Sequence, residues 1–339
     1  MIIFLEKMLP VTSLPLCIWQ YLATWLQGDR AIIHMRATCR FLRRVEIRQL
    51  PAGMMSEIND ERLELIAPSI ERLTLYMSVC PIKMETLKKC KNLKQLIVID
   101  GKVNWFPPTL RRLDINGCKD VTNKMLEPCV NLEWLYATYT KVTWFPPSLR
   151  YLNISDRTDV TNEMLEPCVN LEQLMANGTN LTWFPPSLRR LDISGLRHVT
   201  SEMIKNCTKL QWLDAYDTAI TYLPSSLLHL NICGCKGVTN EMLQNAFGQG
   251  HLEWLDANDT TVTWFPRTLR HLCICSRQDV TNEMLQDAFR VGTSRLEWLD
   301  ARDTKITWFP PTLRRLKIAY CENITDEMLV HLTDCKIDR

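Results

Sequence analysis

From about Ser69 onward, the leucines and isoleucines fall into two alternating frames. One reads LxxLxI and opens at Leu110, Leu149, Leu188, Leu227, Leu269 and Leu313. The other reads LxWLxA and opens at Leu132, Leu171 (with Gln173 for the tryptophan), Leu210, Leu252 and Leu296. Apolar and polar positions alternate inside each frame, which is the period of a strand buried on one side. From Leu110 to Leu132 the step is 22 residues, and from Leu132 to Leu149 it is 17. The short step stays at 17, while the long one reads 22, 22, 22, then 25 and 27. Ile70, Leu93 and Leu110, spaced by 23 and 17, extend the alternation upstream. Seven long-type and six short-type strands are therefore expected, and a fixed period of this size means a solenoid.

The segments between strands differ by unit. In a long unit, Thr161-Asn162-Glu163-Met164-Leu165 reads as a threonine cap with an acid in the first turn of a convex helix. The extra residues of the last long units, QNAFGQG and QDAFRVGTS, lengthen that helix or its exit loop. The short unit carries TWFPPS or a close copy and has no room for a helix. Strands about 4.8 Å apart put every second one about 9.6 Å apart, the spacing at which helices pack. Helices in alternate repeats alone would then fill the convex layer. The paired prolines are expected to hold a polyproline-like arc, with Trp144-Phe145 and their copies filling the gap between helices. A proline-motif ligand for a partner domain is the competing reading, and scaffold is preferred.

With the leucines and isoleucines inside, the position before the second leucine faces the concave surface. In order it holds Arg72, Gln95, Arg112, Trp134, Tyr151, Gln173, Arg190, Trp212, His229, Trp254, His271, Trp298 and Arg315. Each tryptophan has Arg, His or Tyr one strand away, within cation–π or stacking reach. The next outward row includes Asp114, Asp192, Asp214, Asp256, Asp300 and Lys317, with Tyr136 and Met175. Exposed tryptophans flanked by charge mark a recognition surface. The residues expected to bind a protein substrate are Trp134, Arg190, Trp212, Asp214, His229, Trp254, Asp256, His271, Trp298 and Asp300. A ladder that satisfies itself and stiffens the sheet is the alternative.

The repeated units resemble the leucine-rich-repeat family. Long units such as LRRLDINGCKDVTNKMLEPC and LRRLKIAYCENITDEMLVHL resemble its cysteine-containing subclass. The subclass cysteine stands at Cys118, Cys235 and Cys321, and Arg157, Leu196 and Arg277 replace it elsewhere. The resemblance implies an α/β fold, a leucine-rich-repeat solenoid or horseshoe of alternating long helical and short proline-arc units over residues 51–339.

Composition narrows the function. Net charge is +2, so no basic excess points to nucleic acid. MIIFLEKMLPV is broken by Glu6, Lys7 and Pro10 before a secretory core can form, and no run of about 18 apolar residues suggests a membrane span. Fourteen cysteines, mostly inside hydrophobic runs, read as free thiols in a cytoplasmic or nuclear setting. Asn-x-Ser/Thr triplets such as that at Asn153 are then chance matches. Cys90, Cys129, Cys168 and Cys207 end the helices of long units, where small buried hydrophobes suit. Cys233-x-Cys235 and Cys273-x-Cys275 read as core and surface thiols on separated strands, so neither a metal nor a cofactor is expected. Asp192 and Asp214 fall on adjacent strands as a carboxylate pair, but on an open face without a nucleophile. No enzyme is expected.

Residues 1–50 leave the repeat and carry seven Lys/Arg against three Asp/Glu. The stretch LPVTSLPLCIWQYLATWLQGDRAIIHMRATCRFLRRVEI resembles the F-box. Leu14-Pro15, Ile18, Tyr21-Leu22, Asp29 and Cys39-Arg40-Phe41 match its signature, although Cys17 stands where an acid is usual. An all-helical F-box-like module before the repeats implies a non-catalytic substrate-recognition subunit of an SCF-type (cullin-RING) E3 ubiquitin ligase. Its partners would be a Skp-type adaptor, the cullin complex and a protein substrate, with neither nucleic acid nor membrane. Leu14, Pro15, Ile18, Leu22, Ile33 and Phe41 would bind the adaptor. The alternative is a free-standing interaction scaffold whose N-terminal helices only cap the solenoid.

Overall fold

A computed structural model describes residues 59–76, 82–99 and 102–339. The F-box-like segment and its six adaptor-binding candidates lie outside them. By its contacts the chain divides into two compact units, Met1–Leu152 and Asn153–Arg339, the division falling within one strand, β5 (Tyr151–Asn153).

In the first unit, β1 (Arg72–Tyr76), β2 (Gln95–Ile99), β3 (Arg112–Asp114) and β4 (Trp134–Tyr136) pair in parallel and in chain order. Helix α1 (Asp60–Ile66) precedes β1, and α2 (Met84–Lys88) and α3 (Asn123–Leu126) lie on the returns from β1 to β2 and from β3 to β4. In the second unit the parallel order runs through β6 (Gln173–Met175), β7 (Arg190–Asp192), β8 (Trp212–Asp214), β9 (His229–Asn231) and β10 (Trp254–Asp256). It continues through β11 (His271–Cys273), β12 (Trp298–Asp300), β13 (Arg315–Lys317) and β14 (Lys336–Asp338). The last strand is one more than the thirteen expected, since Lys336-Ile337-Asp338 carries no leucine frame. Its single apolar residue, Ile337, pairs with Leu316.

The strands are three residues long in most repeats because an apolar core needs only one inward residue flanked by the next turn. The middle leucines Leu113, Leu135, Leu191, Leu213 and Leu255 are at most 1% exposed. Each strand from β3 to β13 then exits through a residue with positive φ, at Gly117, Tyr139, Asp156, Gly178, Gly195, Asp217, Gly234, Asp259, Ser276, Asp303 and Tyr320. These positions repeat the alternating steps of the leucine frames. Most L-residues resist that conformation, which is why glycine and aspartate dominate the position.

Long units carry the helices α4 (Asn162–Leu165), α5 (Ser201–Ile204), α6 (Asn240–Phe247) and α7 (Asn282–Ala288), and a 3-10 turn closes the series at Asp326–Leu329. No 17-residue unit contains a helix among the described residues. The expected convex helix shrinks to one turn in the 22-residue units and is fully formed only where the insertions give it seven or eight residues. The threonine cap follows the same division. Thr239 and Thr281 accept from the N–H groups of Met242 and Met284, whereas Thr122, Thr161 and Thr200 make no such bond. A single turn offers a cap little helix to stabilise.

The helix's first residue has a different task. Asn123 Oδ1 accepts from the backbone N–H groups of Thr143 and Trp144 at 2.8 and 3.1 Å, and its Nδ2 donates to Thr143 Oγ1. Asn162, Asn240 and Asn282 repeat the clamp on the next short unit, and Ser201 keeps the part of it that reaches the N–H and Oγ1 of Thr221.

The proline arc also needs correction. Neither helix nor strand forms up to the first proline, which is buried; a turn follows, closed by Leu149 N–H on Pro146 O at 3.1 Å and by its copies. The second proline sits at the turn position where its fixed φ is native, and Ser225 or Arg267 serve there as well. Phe106, Phe145, Phe184, Phe265 and Phe309 fill the core at 0–2% exposure. Their tryptophan neighbours stay half-buried, and an open groove of about 790 Å³, lined by Trp264, Arg267, Met284 and Asp287, remains between α6 and α7.

The cysteine position is explained by hydrogen bonding. Cys235 and Cys321 donate to the carbonyls of Ala215 and Ala301 at 3.0 and 3.1 Å. Arg277, 3% exposed, does more with one guanidinium, reaching Ala257 O, Thr260 Oγ1 and Val262 O at 2.7–2.8 Å and pairing with Asp279. Arg157 is likewise buried and pairs with Asp159, which is exposed. Cys90, Cys129, Cys168 and Cys207 are at most 1% exposed, as expected.

Candidate functional site

Within each unit the residues read as concave are register partners from strand to strand. In the first unit Arg72, Gln95, Arg112 and Trp134 are successive partners across the strands. In the second the row runs Gln173, Arg190, Trp212, His229, Trp254, His271, Trp298, Arg315, and then Lys336.

The tryptophans are half-buried rather than exposed, because their neighbours cover their faces. In the first unit the Arg112 guanidinium lies 4.6 Å over Trp134, and Tyr151 stacks on its other side at 5.8 Å. Tyr136 packs on Tyr151 at 4.8 Å. A concave pocket of about 300 Å³ opens beside them, lined by Gln95, Ile97, Arg112, Asp114, Trp134 and Tyr136. In the second unit Arg190 caps Trp212 at 4.1 Å, His229 follows at 5.0 Å, and Trp254 lies nearly parallel on His229 at 3.7 Å. His271 tilts against Trp298 at 6.2 Å, and Lys317 lies 5.4 Å over that indole. Burial, then Arg190 and His271, push the His229 imidazole down to about 4, so it stacks uncharged near neutral pH. Each of these aromatics faces a cation or another ring, contacts worth about 0.5–2 kcal/mol apiece.

The acidic row turns out to shape the backbone. Asp114, Asp192, Asp214, Asp256 and Asp300 each accept from the N–H group two residues on, at 3.0–3.4 Å, and so bend the strand exit. Asn153 and Asn231 do the same, which accounts for asparagine alternating with aspartate in this row. Asp192 and Asp214 come together as expected, with Ser194 Oγ 2.6 and 2.8 Å from their Oδ1 atoms. Burial holds the Asp114, Asp192 and Asp256 carboxyls above the ordinary carboxylate range. Asp300, expected to be exposed, is 1% exposed and closed off by Arg302 at 2.8 Å and Lys317 at 3.5 Å. These ion pairs turn Asp300 inward, so it is not a contact residue for a protein on the concave face.

The two Cys-x-Cys pairs go separate ways. Cys235 belongs to the core and Cys233 to the concave side, while Cys273 and Cys275 approach each other and Asp300. Sequence reasoning could not see this triad, because its members converge only through the register of β11 and β12.

No family model matches the chain, and no curated protein does. Among solved structures, a leucine-rich-repeat protein from Leptospira interrogans is 14% identical with a TM-score of 0.54, covering 92% of this chain and 99% of that one. An internalin from Listeria monocytogenes is 16% identical with a TM-score of 0.46, covering 82% of this chain and 88% of that one. At this identity the likeness concerns the fold. Repeated parallel strands, left-handed exits and an inward leucine in each strand, with the Leptospira neighbour, give the chain the fold of a leucine-rich-repeat solenoid.

Proposed function

We propose that this chain is a non-catalytic protein-recognition scaffold whose concave strand face holds a protein partner. The observation that carries the reading is the ladder of tryptophans alternating with Arg, His and Tyr, in register along each unit. Indoles held against arginine, lysine, tyrosine and an uncharged imidazole form a preorganised surface, and ordering such residues in advance lowers the entropy cost of association. Trp134, Trp212, His229, Trp254, His271 and Trp298, with Arg190, are its contact residues. Asp214 and Asp256 contribute the carboxylate atoms left over from their turns. Such a face suits an apolar anchor flanked by basic residues. Among the described residues no helix is long and apolar enough to cross a membrane.

The test replaces Trp254 with alanine and measures both thermal unfolding and capture of the partner recovered by affinity pull-down with the wild-type chain. An interface anchor should lose about 2 kcal/mol of binding, a roughly thirtyfold drop. Unchanged capture per folded molecule would return the row to a purely stiffening role.

The more specific reading is a substrate receptor of an SCF-type ubiquitin ligase. It rests on the F-box resemblance around Leu14-Pro15 and Cys39-Arg40-Phe41, and on that module preceding leucine-rich repeats. A Skp-type adaptor would then be gripped by Leu14, Pro15, Ile18, Leu22, Ile33 and Phe41. Deleting residues 1–45 should abolish adaptor capture and leave the repeats folded. Capture that survives the deletion would leave the free-standing scaffold as the function.

A further inference from the structure

We propose that Cys273, Cys275 and Asp300 form a zinc site at the edge of the concave face. Cys273 is the last residue of β11 and Cys275 follows two positions on, so the pleat points both sulfurs the same way. Asp300 is the register partner of Cys273 on β12. The three ligand atoms lie within 4.8 Å of one another.

The distances favour a tetrahedral thiophilic ion. The two sulfurs are 3.7 Å apart. With Zn–S near 2.3 Å, the sulfur–sulfur edge of a tetrahedron is about 3.8 Å. A linear two-sulfur ion would need a wider separation. Cys275 Sγ is 2.9 Å from Asp300 Oδ1, held by the thiol proton. Zinc-bound sulfur and oxygen sit about 3.5 Å apart, so this edge must open by a few tenths of an ångström. Binding removes the proton that holds it short, because Zn²⁺ displaces both thiol protons to solvent.

A second observation points to the same place. The Asn258 Oδ1 atom is buried with no hydrogen-bond partner, while its Nδ2 lies 3.3 Å from Cys273 Sγ. Asn258 follows Asp256, which pairs with Cys273 from the other side. Half a turn of that carboxamide exchanges the atoms, brings an oxygen near the sulfur–oxygen edge length, and ends the orphaned acceptor. It offers a fourth donor. Arg302 and Lys317 both face the carboxylate. With both thiols deprotonated, the ligands and these two cations still sum to one negative charge, which draws a divalent ion.

The experiment titrates the reduced full-length chain with Co²⁺, whose thiolate charge-transfer and visible bands report a tetrahedral sulfur site, and then displaces it with Zn²⁺. One Co²⁺ per chain should give those bands and Zn²⁺ should bleach them. Cys275→Ser, at a half-exposed position that tolerates change, should weaken binding at least tenfold. Asp300→Asn should weaken it similarly, and Cys233→Ser should leave it unaltered. Absence of the thiolate bands, or equal affinity in wild type and Cys275→Ser, would overturn the site. Equal affinity in Asp300→Asn would overturn the three-ligand arrangement. For variants that fold poorly, a zinc-induced rise in unfolding temperature present in wild type and absent in Cys275→Ser decides the same point.

Discussion

Tyr320 shows how a single position records its repeat. It holds φ of 64° at the strand exit where several other units place glycine or aspartate, and it is 86% exposed. Replacing it with glycine removes left-handed strain of about 1–2 kcal/mol against a chain-entropy cost of about 0.5–1 kcal/mol. Tyr320→Gly should therefore stabilise the chain by about 0.5–1 kcal/mol. Gly195→Ala, at φ of 75° with open space around the added carbon, should cost about 1 kcal/mol. Denaturant unfolding of the two variants, with opposite signs expected, checks the pair. Buried Arg277 offers a pH-dependent counterpart. Its hydrogen bonds hold the Asp279 carboxyl below the ordinary carboxylate range. The folded value lies under the unfolded one, so this stabilisation is complete at neutral pH and is lost as pH falls through the folded value. Asp279 is half exposed, which limits the effect through solvent screening. Asp279→Asn should lower the unfolding temperature at pH 7 and narrow the gap to wild type on acidification.

At the scale of elements, the asparagine clamp joins four of the long units, those of Asn123, Asn162, Asn240 and Asn282, to the short unit that follows. In α7, Asn282 accepts two backbone N–H groups, at 2.9 and 3.0 Å, and donates to Thr307. Asn282→Ala orphans those donors and should cost about 1–3 kcal/mol. Asn282→Ser should cost less, because Ser201 keeps one of these bonds in its own repeat. The strand core sets the larger scale of loss. Leu255 is fully buried beside Trp254, and Leu255→Ala should cost about 2–5 kcal/mol. Trp254→Ala, which gives up a stack on one imidazole, should cost visibly less. Thermal unfolding of the four variants orders them.

Across the molecule, each repeat touches chiefly its neighbours, so stability is a sum of local terms and shared faces. The strand β14 covers the edge of β13 with Ile337 and pairs Asp338 with Arg315 at 3.0 Å. Ending the chain at Cys335 should bare Leu316 and lower the unfolding temperature, while the aromatic ladder around Trp212 and His229 keeps its near-ultraviolet circular dichroism. Loss of that signal together with the edge would mean that the second unit unfolds as one block.

The repeat was legible because its physics is local and one-dimensional. A leucine frame fixes which side of each strand is inward, and register follows from identical frames, so the order of the concave row from Arg72 to Arg315 could be read directly. Phenylalanine burial and the helix-free short unit followed from the same counting. Other features depended on atoms brought from elsewhere in the chain. A tryptophan's exposure is set by the ring or cation on the adjacent strand, so Trp254 reads as exposed in sequence and is half-buried against His229. The carboxylates of Asp192 and Asp256 look like free surface charge until backbone curvature shows them bending the strand exits. Asp300 needed Arg302 and Lys317 to become an internal ion pair. The Asn–Thr–Trp clamp and the approach of Asp300 to Cys273 and Cys275 were decided by tertiary register, since side chains some 20–27 residues apart meet only after the strands stack.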